Sequence, residues 1–171
     1  PDAVRGGDGF DTALVDGPRD RRLDVERVKV DRNLALWRPV TADAYAPTNP
    51  PILAVDGRPD DSWSSGGFPQ HWLEIDLQRR VDVARVRLVA PDMPAGSAFI
   101  LLGRATAAGT FRLLHVFGGP TADLQRIDFA PRHPWRGIRY VRLVVPQSPY
   151  PTPWVSWREV AIYGASPGAK K

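Results

Sequence analysis

The chain has 171 residues, a net charge of +4 and 43% hydrophobic residues, the size and balance of one soluble globular domain with a real core. The absence of cysteine excludes disulfides and thiolate metal centres, and no apolar run is long enough to cross a bilayer as a helix. With 18 Pro and 15 Gly the chain favours turns over long helices, and its basic residues are mostly single Arg, a poor footprint for nucleic acid. No signal-peptide pattern opens it and it does not begin with Met, so it reads as a fragment or a mature product.

Residues 1–32 differ from the rest of the chain. They hold 7 basic and 8 acidic side chains, so the basic excess lies in residues 33–171. Gly6-Gly7 and Asp16-Gly17-Pro18 are turn signals, and 23–30 alternates with one change of phase, as a bulged strand does. This extension reads as an N-terminal hairpin or as the end of a preceding domain. From Asn33 onward, short apolar segments are broken by Pro and Gly. The segment 33–40 reads as a strand start, and 41–51 as a polar loop carrying Tyr45. Further strands are expected at 72–77, 81–90, 98–102, 111–116, 124–129, 138–145 and 155–163. Val86, Leu88 and Ala90 oppose Arg85 and Arg87; Val141, Leu143 and Val145 oppose Arg142. Eight short alternating segments without a sustained helical period predict an all-β, antiparallel sandwich over 33–164, with 165–171 as a flexible tail. Trp63, Trp72 and Trp157 fall within strand patterns and are expected in the core.

The stretch 54–67 gathers a turn-forming Asp56-Gly57, the carboxylates of Asp60 and Asp61, Trp63 and the pair Gly66-Gly67. Gly lets the backbone reach φ > 0 at a tight turn. Carboxylates and exposed carbonyls on one irregular loop are hard oxygen ligands, which suits Ca²⁺. The same pattern also fits a solvated surface turn.

Catalytic sets are missing from the sequence. His71, His115 and His133 are scattered without zinc-ligand spacing, and the glycine pairs open no helix that could cradle phosphate. Asp60 with Asp61, and Glu74 with Asp76, are the carboxylate pairs a glycosidase would need, but Glu74 and Asp76 share one strand face and fit a solvated surface. The chain is therefore read as a non-enzyme. Tyr45, Phe68, Tyr150 and Trp154 lie among Pro, Gly or Ser, outside the alternating segments. Sugar rings stack their C–H faces on aromatic rings, and His71 and Arg38 are candidate polar partners. Three Pro within 147–154 stiffen Tyr150 and Trp154 in advance of binding. Loop aromatics also plug the ends of sandwiches, and the sequence leaves both roles open.

An ordered series now stands out: Asn33-Leu34-Ala35 with Pro39-Val40-Thr41, Ala54-Val55-Asp56-Gly57, Ser62-Trp63-Ser64-Ser65, Trp72-Leu73-Glu74-Ile75-Asp76-Leu77, Ile138-Arg139-Tyr140-Val141-Arg142 and Trp157-Arg158-Glu159-Val160-Ala161-Ile162-Tyr163-Gly164. It resembles the coagulation factor 5/8 type C (discoidin) domain, in the bacterial carbohydrate-binding-module type, over residues 33–164. The resemblance implies an eight-stranded jelly-roll sandwich of galactose-binding-like fold, with first and last segments close together. It also implies a structural cation, usually Ca²⁺, beside the stretch 54–67. Carried over by position, Leu53 and Arg58 offer backbone carbonyls, Asp56 a side-chain oxygen, Arg158 a carbonyl and Glu159 a carboxylate. Asp61 stands where the family has Thr or Ser, and its carboxylate can still ligate.

Two functional readings compete. The first is a non-catalytic carbohydrate-binding module of a larger extracellular or membrane-attached glycan-active protein. It would bind a polysaccharide or glycoconjugate outside the cell or at its surface, as a monomer when isolated. The second is an adhesion module for lipid headgroups or a protein, and this reading alone would bring the domain to a membrane. The loop aromatics are flanked by Pro and Ser rather than Lys, which favours sugar.

Overall fold

The computed structural model describes residues 32–68, 70–146 and 155–165. The expectations for 1–31, for Tyr150 and Trp154, and for the tail from 166 onward lie outside these residues. The described chain forms nine strands: β1 (Val40–Ala42), β2 (Trp63–Ser64), β3 (His71–Ala90), β4 (Ala98–Arg104), β5 (Arg112–Gly118), β6 (Gln125–Phe129), β7 (Trp135–Val145), β8 (Ser156–Trp157) and β9 (Glu159–Gly164). A single 3-10 turn, Pro51–Ala54, is the helical element among the described residues.

β3 organises the fold. It runs for 20 residues where the sequence suggested two strands, 72–77 and 81–90. No Pro or Gly separates those runs. Gln78 takes a left-handed φ of 63°, and the register against β7 slips between Asp76 and Val81, so the chain bends without stopping. The first half of β3 pairs with β1 and β7, and the second half with β6 and β9, all antiparallel. β3 therefore serves both layers of a β-sandwich. The first layer continues from β7 through β4 to β5, while β2 and β8 form a short ribbon.

Two other boundaries differ from expectation, and two short strands, β1 and β2, were not foreseen, so the strands number nine rather than eight. Residues 33–40 do not start a strand. Asn33 makes one bridge to Tyr163, and its Oδ1 accepts from the N–H of Ala35 and of Ile162, each at 3.0 Å. Such side-chain bonds compete with a ladder, and Trp37 then turns the chain with φ 55°. The run 155–163 is interrupted at Arg158, which separates β8 from β9. The bridge at Asn33 brings the first and last segments together, as the resemblance implied.

Alternation dictates the core. Leu73, Ile75 and Leu77 from β3 meet Val86 and Leu88 from its second half, Phe99 and Leu101 from β4, Val141 and Leu143 from β7, and Val160 and Ile162 from β9. Trp63 and Trp157 are opposed across the β2–β8 ribbon and fully buried, with Trp157 edge-on to Phe99 at 4.9 Å between centroids. Between β5 and β6, His115 stacks on Phe129 at 3.6 Å, and Phe129 stacks in turn on Trp135 at 5.8 Å. Trp72 is not core. The alternation that sends Leu73, Ile75 and Leu77 inward turns Trp72, Glu74 and Asp76 outward, and the Arg142 guanidinium lies 3.9 Å over the Trp72 ring. Glu74 is not solvated either: it is buried by Arg104 at 2.8 Å and Arg142 at 3.1 Å.

Candidate functional site

Two clusters draw on the loop between β1 and β2, the second joined by the loop between β2 and β3. The first is acidic. After the 3-10 turn that holds Leu53, the Asp56 Oδ1 accepts the Arg58 N–H at 2.9 Å, closing a turn around Gly57, whose φ is 87°. A Cβ on Gly57 would also lie 3.0 Å from the Leu36 side chain, so both conformation and space select glycine there. The Gly57 N–H donates to Glu159 Oε2 at 3.1 Å. Arg158 reaches the same loop: its guanidinium donates to the Pro59 carbonyl at 3.2 Å and grips both Asp123 oxygens at 2.6 and 2.7 Å. Arg58 faces outward to Asp60.

This cluster has excess negative charge in a dry place. Glu159 is buried, and its Oε1 has no partner among the described residues; the Asp61 Oδ1 is likewise buried and unpartnered among them. Burial, with Asp56 and Asp61 adding repulsion, pushes the Glu159 carboxyl up to about 7 against the opposing Gly57 N–H. Burial first, then the Asp56 and Asp60 charges, raises Asp61 as well. Orphaned hard oxygens beside like charges are what a hard cation neutralises. Among the described residues no three acidic or histidine side chains converge on one metal position, so a cation here must draw on backbone carbonyls too.

The second cluster is aromatic. Tyr45 is 56% exposed and lines a shallow cleft of about 300 Å³ with Val40, Thr41, Pro50 and Ile52. Phe68 is 66% exposed, which removes the core-plug reading for that residue. The two loops are tied together, since Ala46 N–H donates to the Ser64 carbonyl at 2.9 Å. Ser65 braces the turn into Phe68, its Oγ donating to the Gly67 carbonyl at 2.8 Å. His71 opens β3 beside that turn; a Cβ on Gly67 would sit 3.1 Å from its Nε2. Val155, where the chain re-enters the described residues after 147–154, donates its N–H to the Gly67 carbonyl at 3.2 Å.

Asp43 was missed by sequence reasoning. Its Oδ2 lies 3.1 Å from His71 Nδ1, and its Oδ1 accepts the Trp72 N–H at 3.0 Å. A neutral His71 that donates from Nδ1 leaves Nε2 as an acceptor for a ligand hydroxyl. An acidic residue two positions before an exposed Tyr was the available signal; its register against β3 was not. The structure sets the segments that carry Tyr45, Phe68 and His71 next to one another, through the Ala46–Ser64 bond and the close approach of Gly67 to His71, but not the segment of Arg38. The Arg38 guanidinium is held by the Leu34 carbonyl at 3.2 Å and by Gln78, about 20 Å along β3 from His71. As for the carboxylates considered for catalysis, Glu74 is clamped by two arginines and Asp76 by both Arg139 nitrogens, at 2.8 and 2.9 Å. Arg139 holds the Asp76 carboxyl below the usual carboxylate range.

Similar folds recur among solved structures. A chitosan-binding module from a chitosanase/glucanase of Paenibacillus sp. IK-5 has a TM-score of 0.65 and 25% identity, over 78% of this chain and 99% of that one. The second module of that enzyme, in complex with chitotriose, gives 0.61 and 22% over 77% and 100%. The family 32 carbohydrate-binding module of Clostridium perfringens NanJ, in complex with galactose, gives 0.60 and 12% over 73% and 92%. Curated proteins give no match. The F5/8 type C domain model matches residues 39–160, from the start of β1 into β9, so the chain belongs to the F5/8 type C domain family.

Proposed function

We propose that this domain is a non-catalytic glycan-binding module of a larger extracellular protein, and that Tyr45, Phe68, His71 and Asp43 form its sugar site. The observation that carries the reading is two exposed rings, on braced loops whose segments adjoin the strand start that carries an imidazole held by a carboxylate. Rigid aromatic faces with one fixed polar group are what a sugar ring requires. Modules of this fold bind chitotriose and galactose, which supports a saccharide ligand. A polycation such as chitosan is disfavoured by this chain's net charge of +4. Clamping of Glu74 and Asp76 by arginines supports the absence of a glycosidase pair. Titration of a glycan panel against the wild type, Tyr45→Ala and Phe68→Ala tests the site; binding unchanged in both variants would remove it.

We also propose that Asp56 and Glu159, with carbonyls from Leu53, Arg58 and Arg158, hold a structural Ca²⁺, with the Asp61 carboxylate adding its charge nearby. The unpartnered oxygens of Asp61 and Glu159 support it. The ion would supply charge neutralisation and would crosslink the β1–β2 loop to the last strands.

A second reading has one specific observation behind it. Leu36 and Trp37 are exposed side by side, next to Arg38, as membrane-inserting spikes are. Arg38, the cation adjoining the pair, is already committed to the Leu34 carbonyl and to Gln78, which weighs against a lipid headgroup there. Sedimentation with anionic vesicles separates the two readings.

A further inference from the structure

The basic residues look scattered in the sequence, and the fold gathers them. At the bend of β3, the start of β7, the end of β4 and the start of β5 lie side by side. Seven arginines belong to this corner: Arg79, Arg80, Arg104, Arg112, Arg136, Arg139 and Arg142. Three carboxylates accompany them, Glu74, Asp76 and Asp82, so the corner's excess equals the whole chain's net charge of +4. Glu74 and Asp76 are consumed by Arg104, Arg142 and Arg139, and Asp82 accepts the Gly137 N–H. Arg79, Arg80, Arg112 and Arg136 are exposed and have no carboxylate partner among the described residues.

Two of these exposed groups are already held in place. The Arg80 Nε donates to the Ala105 carbonyl at 3.4 Å, across β7, and the Arg112 Nη2 donates to the Arg136 carbonyl at 2.6 Å. Each bond anchors one nitrogen and leaves others of the planar fork for an oxyanion. A fork positioned beforehand loses less side-chain entropy on binding, and it matches a carboxylate better than a lysine would. The corner spans four neighbouring strands, about 14 Å at the usual strand spacing, so one small anion cannot bridge it. A chain of repeated carboxylates can.

We propose that this arginine corner binds an acidic polysaccharide, one bearing carboxylates at regular intervals. It presupposes the glycan-binding role given above and adds a second contact to it. The corner lies eight to nine residues along β3 from His71, on the order of 25 Å of strand, so the two surfaces can be addressed separately.

The test is calorimetric titration of the full chain with polygalacturonate and with its methyl-esterified, neutral form. The acidic polymer should bind at least about tenfold more tightly, and the difference should vanish from about 0.01 M to about 1 M salt, as the screening length falls from about 30 Å to about 3 Å. Two variants, Arg80→Gln/Arg112→Gln/Arg136→Gln and Arg79→Glu/Arg80→Glu, should each lose roughly tenfold or more for the acidic polymer, with unchanged melting temperatures. Phe68→Ala should retain the preference for the acidic form. Unchanged affinity in either folded variant would overturn the assignment. So would equally tight binding of double-stranded DNA or of phosphatidylserine vesicles, which would mark a general polyanion surface. If neutral glycans bind at Phe68 and the acidic form gains nothing, the corner falls and the sugar site stands; if no glycan binds, both fall.

Discussion

The Gly57 N–H donates to Glu159 across 102 residues of sequence, at 3.1 Å. It ties the turn after the 3-10 element to the first residue of β9. The opposite oxygen of Glu159 is left buried and, among the described residues, unpartnered, so this tie holds together carboxylates that repel one another.

The cation proposal makes a direct forecast. Chelation should lower the melting temperature and Ca²⁺ should restore it by mass action. A hundredfold excess over Kd is worth about 2.7 kcal/mol, or roughly 5–10 °C for a domain of this size. Asp56→Ala and Glu159→Gln should abolish the response. Differential scanning calorimetry with and without Ca²⁺ decides it, and identical melts of the chelated and Ca²⁺-loaded wild type would refute the site.

Sugar binding should be weak, roughly micromolar to millimolar, because a shallow site makes few contacts. Phe68→Ala and Tyr45→Ala should each cost about threefold to tenfold in affinity, the worth of one stacked ring. Both rings are exposed, so stability should move by less than about 0.5 kcal/mol. Asp43→Asn should weaken binding by freeing the His71 ring. Wild-type affinity in Asp43→Asn would show that His71 needs no orientation.

The two buried indoles should answer differently to the same substitution. Trp63 Nε1 donates to the Ala44 carbonyl at 3.2 Å, whereas Trp157 Nε1 has no partner among the described residues. Replacement by Phe loses ring volume at both sites but a hydrogen bond at one. Trp63→Phe should therefore cost about 1 kcal/mol more than Trp157→Phe in urea denaturation. Equal costs would mean that the Trp63 bond contributes nothing net.

Burial against Phe129 holds the His115 imidazole below its usual range. The folded protein thus binds the proton less readily than the unfolded chain. The associated stability is present above the unfolded value of about 6.5 and is lost as pH falls through the lowered folded value. His115→Phe keeps a ring in the stack and removes the titration. Between pH 7.5 and 5 the wild type should lose more of its urea midpoint than this variant, and parallel losses would place the acid sensitivity elsewhere.

Much of the fold was legible because one face of each strand is buried. Val86, Leu88 and Ala90, or Val141, Leu143 and Val145, have to alternate if they are to meet one core, and they do in the structure. The bend in β3 was not legible, since a left-handed Gln78 carries no Gly or Pro signal. Trp72 was misplaced because an aromatic in a strand pattern reads as core; here its ring is covered by a guanidinium two strand positions away in register. The Asp56-Gly57 turn and the loop placement of Tyr45 and Phe68 were readable from local composition, but the exposure of those two rings was not. Asp43 and the arginine corner were not, because each depends on which residues a ladder sets side by side.

The bridge between Asn33 and Tyr163 has a mechanical consequence. A chain that arrives at Asn33 and departs after Gly164 does so at one spot on the sandwich. Such a domain adds almost no length to whatever carries it. Carried within a longer chain, it would hang like a pendant rather than stand as a spacer, and a pull between Asn33 and Gly164 would load that one junction before the rest of the β-structure. In that setting the reach of its loops would be set by the stiffness of the connecting segments, and scarcely by the domain itself.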